Sequence, residues 1–378
     1  MVTEFSFDLL RRWPDVEADN LFAVDASDRL ILDEAASALE SADSCEVVVI
    51  EDHYGALTLG AAALHAATGI RVHQDGLSGQ RALAANAAEF GLAGAYSSLP
   101  LGAELLAGAR VVLLQLPRSL GALDEIAESI ARFAAPDVRV FAGGRLKHMT
   151  AAMNAVLSRH FGSVSASLAR QKSRVLIASE PLGPAADAPS AWPHREYHAD
   201  IDLTICAHGA AFAGTSLDIG TRYLLEFIDR MKADATSVID LGCGTGVLAV
   251  SLARARPGLH VIASDQSAAA VASAAATAEA NGVADRVQVV QDDALSSQPD
   301  ASADLIVLNP PFHIGSSVHA GIALKLFEDA GRVLRPGGEL WTVWNTHLGY
   351  RPPLTRLVGP THQVGRNTKF TVTVSTRR

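Results

Sequence analysis

The chain has 378 residues and a mass of 39.6 kDa, more than one typical domain holds, so two domains are expected. Hydrophobic residues make up 49% and charged residues 19%, which supplies two cores and excludes disorder, collagen, coiled coil and disulfide scaffold. The net charge of −10 argues against a nucleic-acid partner, but it is unevenly spread: residues 1–52 hold 14 acids and three bases, and the rest sums to +1.

The first ten residues, MVTEFSFDLL, place an acid before any basic residue, so no signal peptide is expected. Glu46–Ile50 predicts a strand, Glu51–Gly55 a loop, and the apolar run after it a helix. A second strand, Ile70–Gln74, ends at Asp75, and a helix runs to Asn86–Gly91. Val111–Leu116 and Val138–Phe141 read as the fourth and fifth strands. Four prolines within residues 180–197 predict a linker, so the expected domains are 1–185 and 198–378.

The pattern then repeats. A strand opens at Ser237, a glycine loop follows, and a helix runs through Arg256. His260–Ser264 leads to Asp265, and an alanine-rich helix stops at Asn281-Gly282. Val287–Val290, Asp304–Leu308 and Glu339–Val343 continue the alternation, and His362–Arg366 with Phe370–Ser375 predicts a closing hairpin. The expected fold is α/β: two tandem Rossmann-like domains, each a doubly wound, mostly parallel sheet. From Gly55 to Asp75 is 20 residues and from Gly246 to Asp265 is 19, which pairs the two acids. Loop 51–55 has one glycine where loop 242–246 has three, so the first copy reads as a scaffold without a cofactor.

Cys45, Cys206 and Cys243 have no CxxC spacing, so no disulfide framework and no metal are expected, and a reducing cytoplasm fits. Leu305–Leu324 lacks Asp, Glu, Lys and Arg, but Asn309-Pro310-Pro311 interrupts it, so no membrane span is expected. A monomer is expected.

Asp240-Leu241-Gly242-Cys243-Gly244-Thr245-Gly246 ends a strand and opens a helix, where glycines allow a tight turn and close approach of backbone to a ligand. Asp265, with Gln266 beside it, is placed to accept from ribose hydroxyls. Gly244-x-Gly246-x-x-Ala249 also satisfies the dinucleotide fingerprint, so NAD stays open. The acid before the loop favours S-adenosylmethionine, which has no phosphate and carries an amino-acid part that an acid can hold. Asp293, preferred to Asp292, is placed to accept from an adenine NH2. Cys243 fits the loop by size.

Asn309-Pro310-Pro311-Phe312 follows a buried apolar strand. A conjugated NH2 is a poor nucleophile because its lone pair is delocalised. The Asn309 side-chain oxygen and the Pro310 carbonyl can accept from it and favour its pyramidal transition state. Pro310 and Pro311 fix that backbone, and Phe312 offers a face for a flipped base. The segment Phe212–Arg222 reads as an upstream lid in which Thr221 caps a helix. Two acid-free basic runs read as phosphate-facing patches. Val138–Ser179 holds Arg145, Lys147, Arg170, Lys172 and Arg174, and Leu340 to the end holds Arg366 and Lys369.

These motifs resemble the amino-methylating class I methyltransferases. The whole chain resembles the bacterial ribosomal RNA guanine-N2 methyltransferases, through Leu217-Asp-Ile-Gly, Val238–Val247, Asn309-Pro-Pro-Phe-His, Asn345–Tyr350 and Asn367-Thr-Lys-Phe, and more weakly through Asp52–Leu57 and Ala142–Arg145. The tail leans towards the large-subunit enzyme. The resemblance implies two tandem methyltransferase-like domains with only the second active, S-adenosylmethionine as cofactor, and 23S ribosomal RNA before 16S as partner. A protein glutamine or adenine N6 as acceptor, and a non-catalytic RNA-binding assembly factor, are the alternatives.

Overall fold

The computed structural model describes residues 3–18, 20–183, 188–311 and 316–378. It divides into two units, Met1–Ala191 and Trp192–Arg378. In the first, α1 (Ala26–Ser41) precedes β1 (Val47–Ile50), α2 (Ala56–His65), β2 (Ile70–His73), α3 (Leu77–Glu89), β3 (Tyr96–Ser98), α4 (Ala103–Leu106), β4 (Val111–Gln115), α5 (Leu120–Phe133), β5 (Arg139–Arg145), α6 (Ala151–His160), β6 (Phe161–Ala166) and β7 (Ser173–Pro181). The second has β8 (His194–His198), β9 (Leu203–Ala207), α7 (Ile219–Leu225), β10 (Ser237–Leu241), α8 (Val247–Ala255), β11 (His260–Asp265), α9 (Ala268–Ala280), β12 (Val287–Gln291), β13 (Ala303–Leu308), α10 (Ser316–Val333), β14 (Leu334–Asn345), α11 (Arg351–Leu357), β15 (Thr361–Arg366) and β16 (Phe370–Thr376).

The two large sheets share one strand order. In the first it is β3-β2-β1-β4-β5-β7-β6, in the second β12-β11-β10-β13-β14-β16-β15, and β8 pairs with β9 apart. Five strands of each run parallel, and β7 and β16 turn antiparallel against β5 and β14. The first strand of each is central and apolar because helices cover both faces. Val238 joins the core on one face and Ile239 and Leu241 the core on the other, the alternation a strand imposes.

Register fixes the equivalences between the units. Ile50 lies opposite His73 and Leu114, as Leu241 lies opposite Ser264 and Leu308. The counterpart of Asp265 is therefore buried Gln74, not Asp75, which the pairing of acids suggested. Gln115 corresponds to Asn309, and Val49 to Asp240.

Two hairpins were not read from sequence. β6 and most of β7 lie inside the acid-free run of the first unit, β7 ending just past it at Glu180-Pro181, and β8 begins inside the proline-rich stretch. β9 is docked on α9 by a row of side chains four residues apart. Asn281, Thr277 and Ser273 accept from the amides of Thr204, Cys206 and His208 at 2.9–3.0 Å. Those three positions are the polar stripe of an otherwise alanine-rich helix, and they satisfy an edge that would be left bare.

α8 and α9 approach closely at Gly246, which caps α8 at φ +78°. A Cβ there would lie 2.9 Å from the Ala274 Cβ. Gly246→Ala is expected to lower stability by roughly 1–3 kcal/mol in urea unfolding. Gly258→Ala, where a Cβ would meet nothing within 4 Å, is expected to leave it nearly unchanged.

Candidate active site

The carboxyl edge of the second sheet gathers the loop after β10, the tip of β11, the turn after β12 and the segment after β13. Ligands of open α/β sheets bind at this edge. The loop holds Gly242, Gly244 and Gly246 at φ +70°, +52° and +78°. A Cβ on Gly242 or Gly244 would meet no atom within 4 Å, so bare backbone borders open space there. Asp265 ties the loop to β11: one oxygen accepts from Gly244 N and the other from Ser267 N, both at 3.0 Å. Gln266 is exposed beside it.

Asp240 is 1% exposed. Its Oδ2 accepts from Ala249 N at 2.9 Å, and its Oδ1 is buried without a partner. Burial, with the nearby charge of Asp265, pushes its carboxyl up to about 7. An unpartnered acceptor of this kind is costly and marks a place for a donor. Cys243 is buried, and burial with Asp240 and Asp265 raises its thiol well above the ordinary value, so it is inert as a nucleophile.

The two acids after β12 divide. Asp292 is buried and accepts from Asp293 N, Ser296 Oγ, Ser297 N and Ser297 Oγ. It holds the turn that presents Ala294 at φ +57°. Asp293 is more accessible and pairs with Lys325 at 2.6 Å.

Asn309 follows β13, and its Nδ2 donates to Asp218 Oδ2 at 2.8 Å and to Thr221 Oγ1 at 3.0 Å. A carboxylate only accepts, so it fixes which end of the amide faces it. The other end, Asn309 Oδ1, is buried and unpartnered. Pro310 is buried and Pro311 exposed, while Phe312 and His313 lie outside the described residues. The N-cap of α7 is Asp218, which accepts from Thr221 N at 2.9 Å. Thr221 sits within the helix and turns its hydroxyl to Asn309, not to the cap as expected. Sequence reading missed Asp218 and Thr221 as partners of Asn309; they lie 91 and 88 residues away. A further unpartnered acceptor, Asn345 Oδ1, ends β14 at the same edge.

In the first unit the same edge is closed. Its loop repeats the left-handed positions with Glu51, His53 and Gly55 at φ +61°, +60° and +101°. The Glu51 side chain accepts from Asp75 N at 2.9 Å, and apolar Val49 stands where Asp240 does.

The cationic candidates separate on inspection of partners. Arg170 pairs with Asp33 and Glu34, and Arg145 lies 3.9 Å from Asp25. The acid-free run thus meets acids from elsewhere in the chain. Arg174 is partly buried, whereas Lys147, Lys172, Arg366 and Lys369 are exposed. Lys172 and Lys369 occupy matching hairpin tips, where their carbonyls accept from Leu146 N and Thr346 N.

The shared strand order defines two tandem domains of the class I methyltransferase type, and the glycine loop and acid-tipped second strand mark the second of them. Residues 202–374 match the "Methyltransferase small domain" family and residues 2–182 the "RLMG N-terminal domain" family. Proteins named Ribosomal RNA large subunit methyltransferase G are similar over nearly the whole chain. That of Shewanella amazonensis is 34% identical over 96% of this chain and 94% of its own. That of Streptomyces avermitilis is 34% identical over 98% and 97%. One from Pseudomonas aeruginosa is 35% identical over 97% and 96%. The T. thermophilus 16S rRNA N2 G1207 methyltransferase, solved in complex with AdoMet and guanosine, matches with a TM-score of 0.70 over 96% of this chain and 97% of that one. At 22% identity it speaks for the fold. The chain belongs to the ribosomal RNA large subunit methyltransferase G family.

Asp292→Ala removes four accepted hydrogen bonds and is expected to cost roughly 2–4 kcal/mol in urea unfolding. Asp293→Ala is expected to change stability by less than about 1 kcal/mol.

Proposed function

We propose that this chain transfers a methyl group from S-adenosylmethionine to the exocyclic N2 amine of a guanine in large-subunit ribosomal RNA, and that the second unit alone does the chemistry. The observation that carries the reading is the Asn309 amide. Its NH2 end is held by Asp218 and Thr221, and its oxygen is buried with no donor. That oxygen suits an incoming NH2. The names of the relatives, and the AdoMet and guanosine of the structural neighbour, support the same class of reaction.

The residues fit the cofactor. Gly242 and Gly244 border open space, Asp265 is fixed at the second strand tip, and Asp240 has a free buried oxygen. These, with Gln266 and Asp293, would hold it, and when bound it supplies an electrophilic methyl on a sulfonium. The protein's own part is to present the amine. Asn309 Oδ1 and the Pro310 carbonyl accept its two N–H groups, which draws the lone pair out of conjugation. Phe312, outside the described residues, is the ring that the sequence offers to a flipped guanine. The methylated nitrogen is acidic before it loses its surplus proton, so water can take that proton.

Labelled methyl should pass to 23S and not 16S ribosomal RNA from a strain lacking this protein, and nucleoside analysis should find N2-methylguanosine. Label on a protein glutamine or on adenine would overturn the reading. Asn309→Ala should lower kcat by on the order of 10²–10³ with cofactor affinity nearly unchanged. Titration should give one cofactor per chain, lost in Asp265→Ala and kept in Gln74→Ala.

Asp240 adds a pH dependence. Its carboxyl is raised to about 7, so it is mostly neutral below that pH and charged above. The charged form attracts a cationic ligand, so affinity should rise between pH 6 and 7.5. Asp240→Asn should flatten that rise in calorimetric titration.

RNA is held, in this reading, partly by the carboxyl edge of the first unit. His148 sits below its ordinary pKa through partial desolvation and through Arg118, Lys147 and Arg145, with Asp25 opposing them. Lys172 lies beside them, through the Leu146 hydrogen bond. Replacing Arg118, Lys147 and Lys172 with Ala should reduce the salt slope of RNA binding by roughly 2, at about 0.7 per phosphate contact. Cofactor affinity should not change.

A further inference from the structure

The two units place a carboxamide at the same position, and the helix facing each treats it differently. In the first unit Gln115 is the last residue of β4 and meets the start of α1, whose N-cap is Asp25. Gln115 Nε2 donates to Asp28 and, at 3.0 Å, to Ser27 Oγ. Ser27 Oγ also lies 3.3 Å from Gln115 Oε1. The serine oxygen thus stands against both ends of that amide and fills the space beside its oxygen, while its single proton has a shorter acceptor in Asp25 Oδ1. In the second unit Asn309 follows β13 and meets the start of α7, whose N-cap is Asp218. Counting from the caps, Thr221 corresponds to Asp28 and Gly220 to Ser27. Thr221 and Asp218 take the NH2 end. Gly220 has no side chain to set against the oxygen, and that oxygen is the one left without a partner. Gly220 is buried, and a Cβ on it would lie 3.2 Å from Asn309 Oδ1 and 3.0 Å from Asp218 Oδ2.

We infer that Asp218, Gly220 and Thr221 are positioning residues for Asn309: the first and last orient its amide, and the glycine keeps its oxygen open to the substrate amine. This rests on the proposed role of Asn309. The glycine-to-serine difference between the units is then one of the changes that separates the competent copy from the closed one. Gly220 has an ordinary helical φ, so its absent side chain matters here for space and not for backbone freedom.

The test uses the full-length chain with ribosomal RNA. Gly220→Ala adds the Cβ alone, and Gly220→Ser adds the Cβ and a hydroxyl. The serine variant should show a kcat lower than the alanine variant by on the order of 10-fold, with RNA KM and cofactor affinity within about twofold of wild type. Asp218→Asn keeps a good helix cap but gives Asn309 a neighbour that donates as well as accepts. A purely structural cap predicts wild-type activity for that variant; the positioning role predicts a kcat fall on the order of 10-fold. A second readout does not depend on turnover. The side-chain NH2 resonances of Asn309, assigned by their loss in Asn309→Ala, should exchange slowly with solvent in wild type and faster in Asp218→Asn. Equal kcat in the serine and alanine variants, or wild-type kcat together with unchanged NH2 exchange in Asp218→Asn, would overturn the inference. If Gly220→Ser lowers the thermal midpoint markedly, Asp218→Asn decides alone. Full activity in Asn309→Ala would instead sink the catalytic reading on which the inference rests.

Discussion

Both units depend on one backbone constraint: after the first strand the chain turns left-handed at three alternate positions within five residues. That path joins the central strand to the first helix and sets the opening at the carboxyl edge. An L side chain pays about 1–2 kcal/mol at each such position, and glycine pays far less. The second unit has glycine at all three positions, the first only at Gly55. The difference decides what the loop can face. In the second unit the strap between loop and second strand comes from the strand side, where Asp265 reaches Gly244 N. In the first it comes from the loop side, where Glu51 reaches Asp75 N. One arrangement leaves the loop bare, and the other covers it with its own side chain.

A second difference follows from the first helix. The amide of the third residue after the loop needs an acceptor in both units. In the first unit Asp52, in the loop, accepts from Leu57 N and Thr58 N with both oxygens used. In the second, Asp240 reaches Ala249 N from within the strand and has an oxygen to spare. Asp52 satisfies the helix and nothing more. Asp240 keeps a desolvated acceptor next to open space, an arrangement that costs stability and is typical of a ligand site.

Much of this was legible in the sequence because it is local. Apolar runs named the central strands, and the Asp240–Gly246 segment named its own strand, loop and helix. Asn309-Pro310-Pro311 stood out because two prolines after a buried strand have few other uses. What failed was non-local or weakly patterned. β6, with sequence Phe161-Gly-Ser-Val-Ser-Ala, has too few apolar positions to show a period. β8 is largely exposed and carries no apolar face. Matching acid to acid paired Asp75 with Asp265 across spacings of 20 and 19 residues, whereas a strict count of 19 from Gly55 lands on Gln74, as the register does. The partners of Asn309 lie about ninety residues upstream, and no local pattern links them.

Charge was the least legible property, because a window along the chain is not a surface. The acids of residues 1–52 are largely spent inside the first unit. Asp28 and Asp52 are buried, Glu46 pairs with Arg110, and Asp33 and Glu34 meet Arg170. The basic run that meets them is correspondingly reduced, and distant charges are screened within about 10 Å. What remains is concentrated at the carboxyl edge of the first sheet. There Arg145 occupies the register position of Asn345, since Ala142 and Thr342 lie opposite Leu114 and Leu308. Arg118 comes three residues after Gln115, as Phe312 comes three after Asn309. At the register position where the second unit carries an uncharged acceptor, Asn345, the first carries a cation. A closed pocket and a cation at its rim therefore go together in the first unit, while the second keeps an unpartnered acceptor, Asn345 Oδ1, at the matching position.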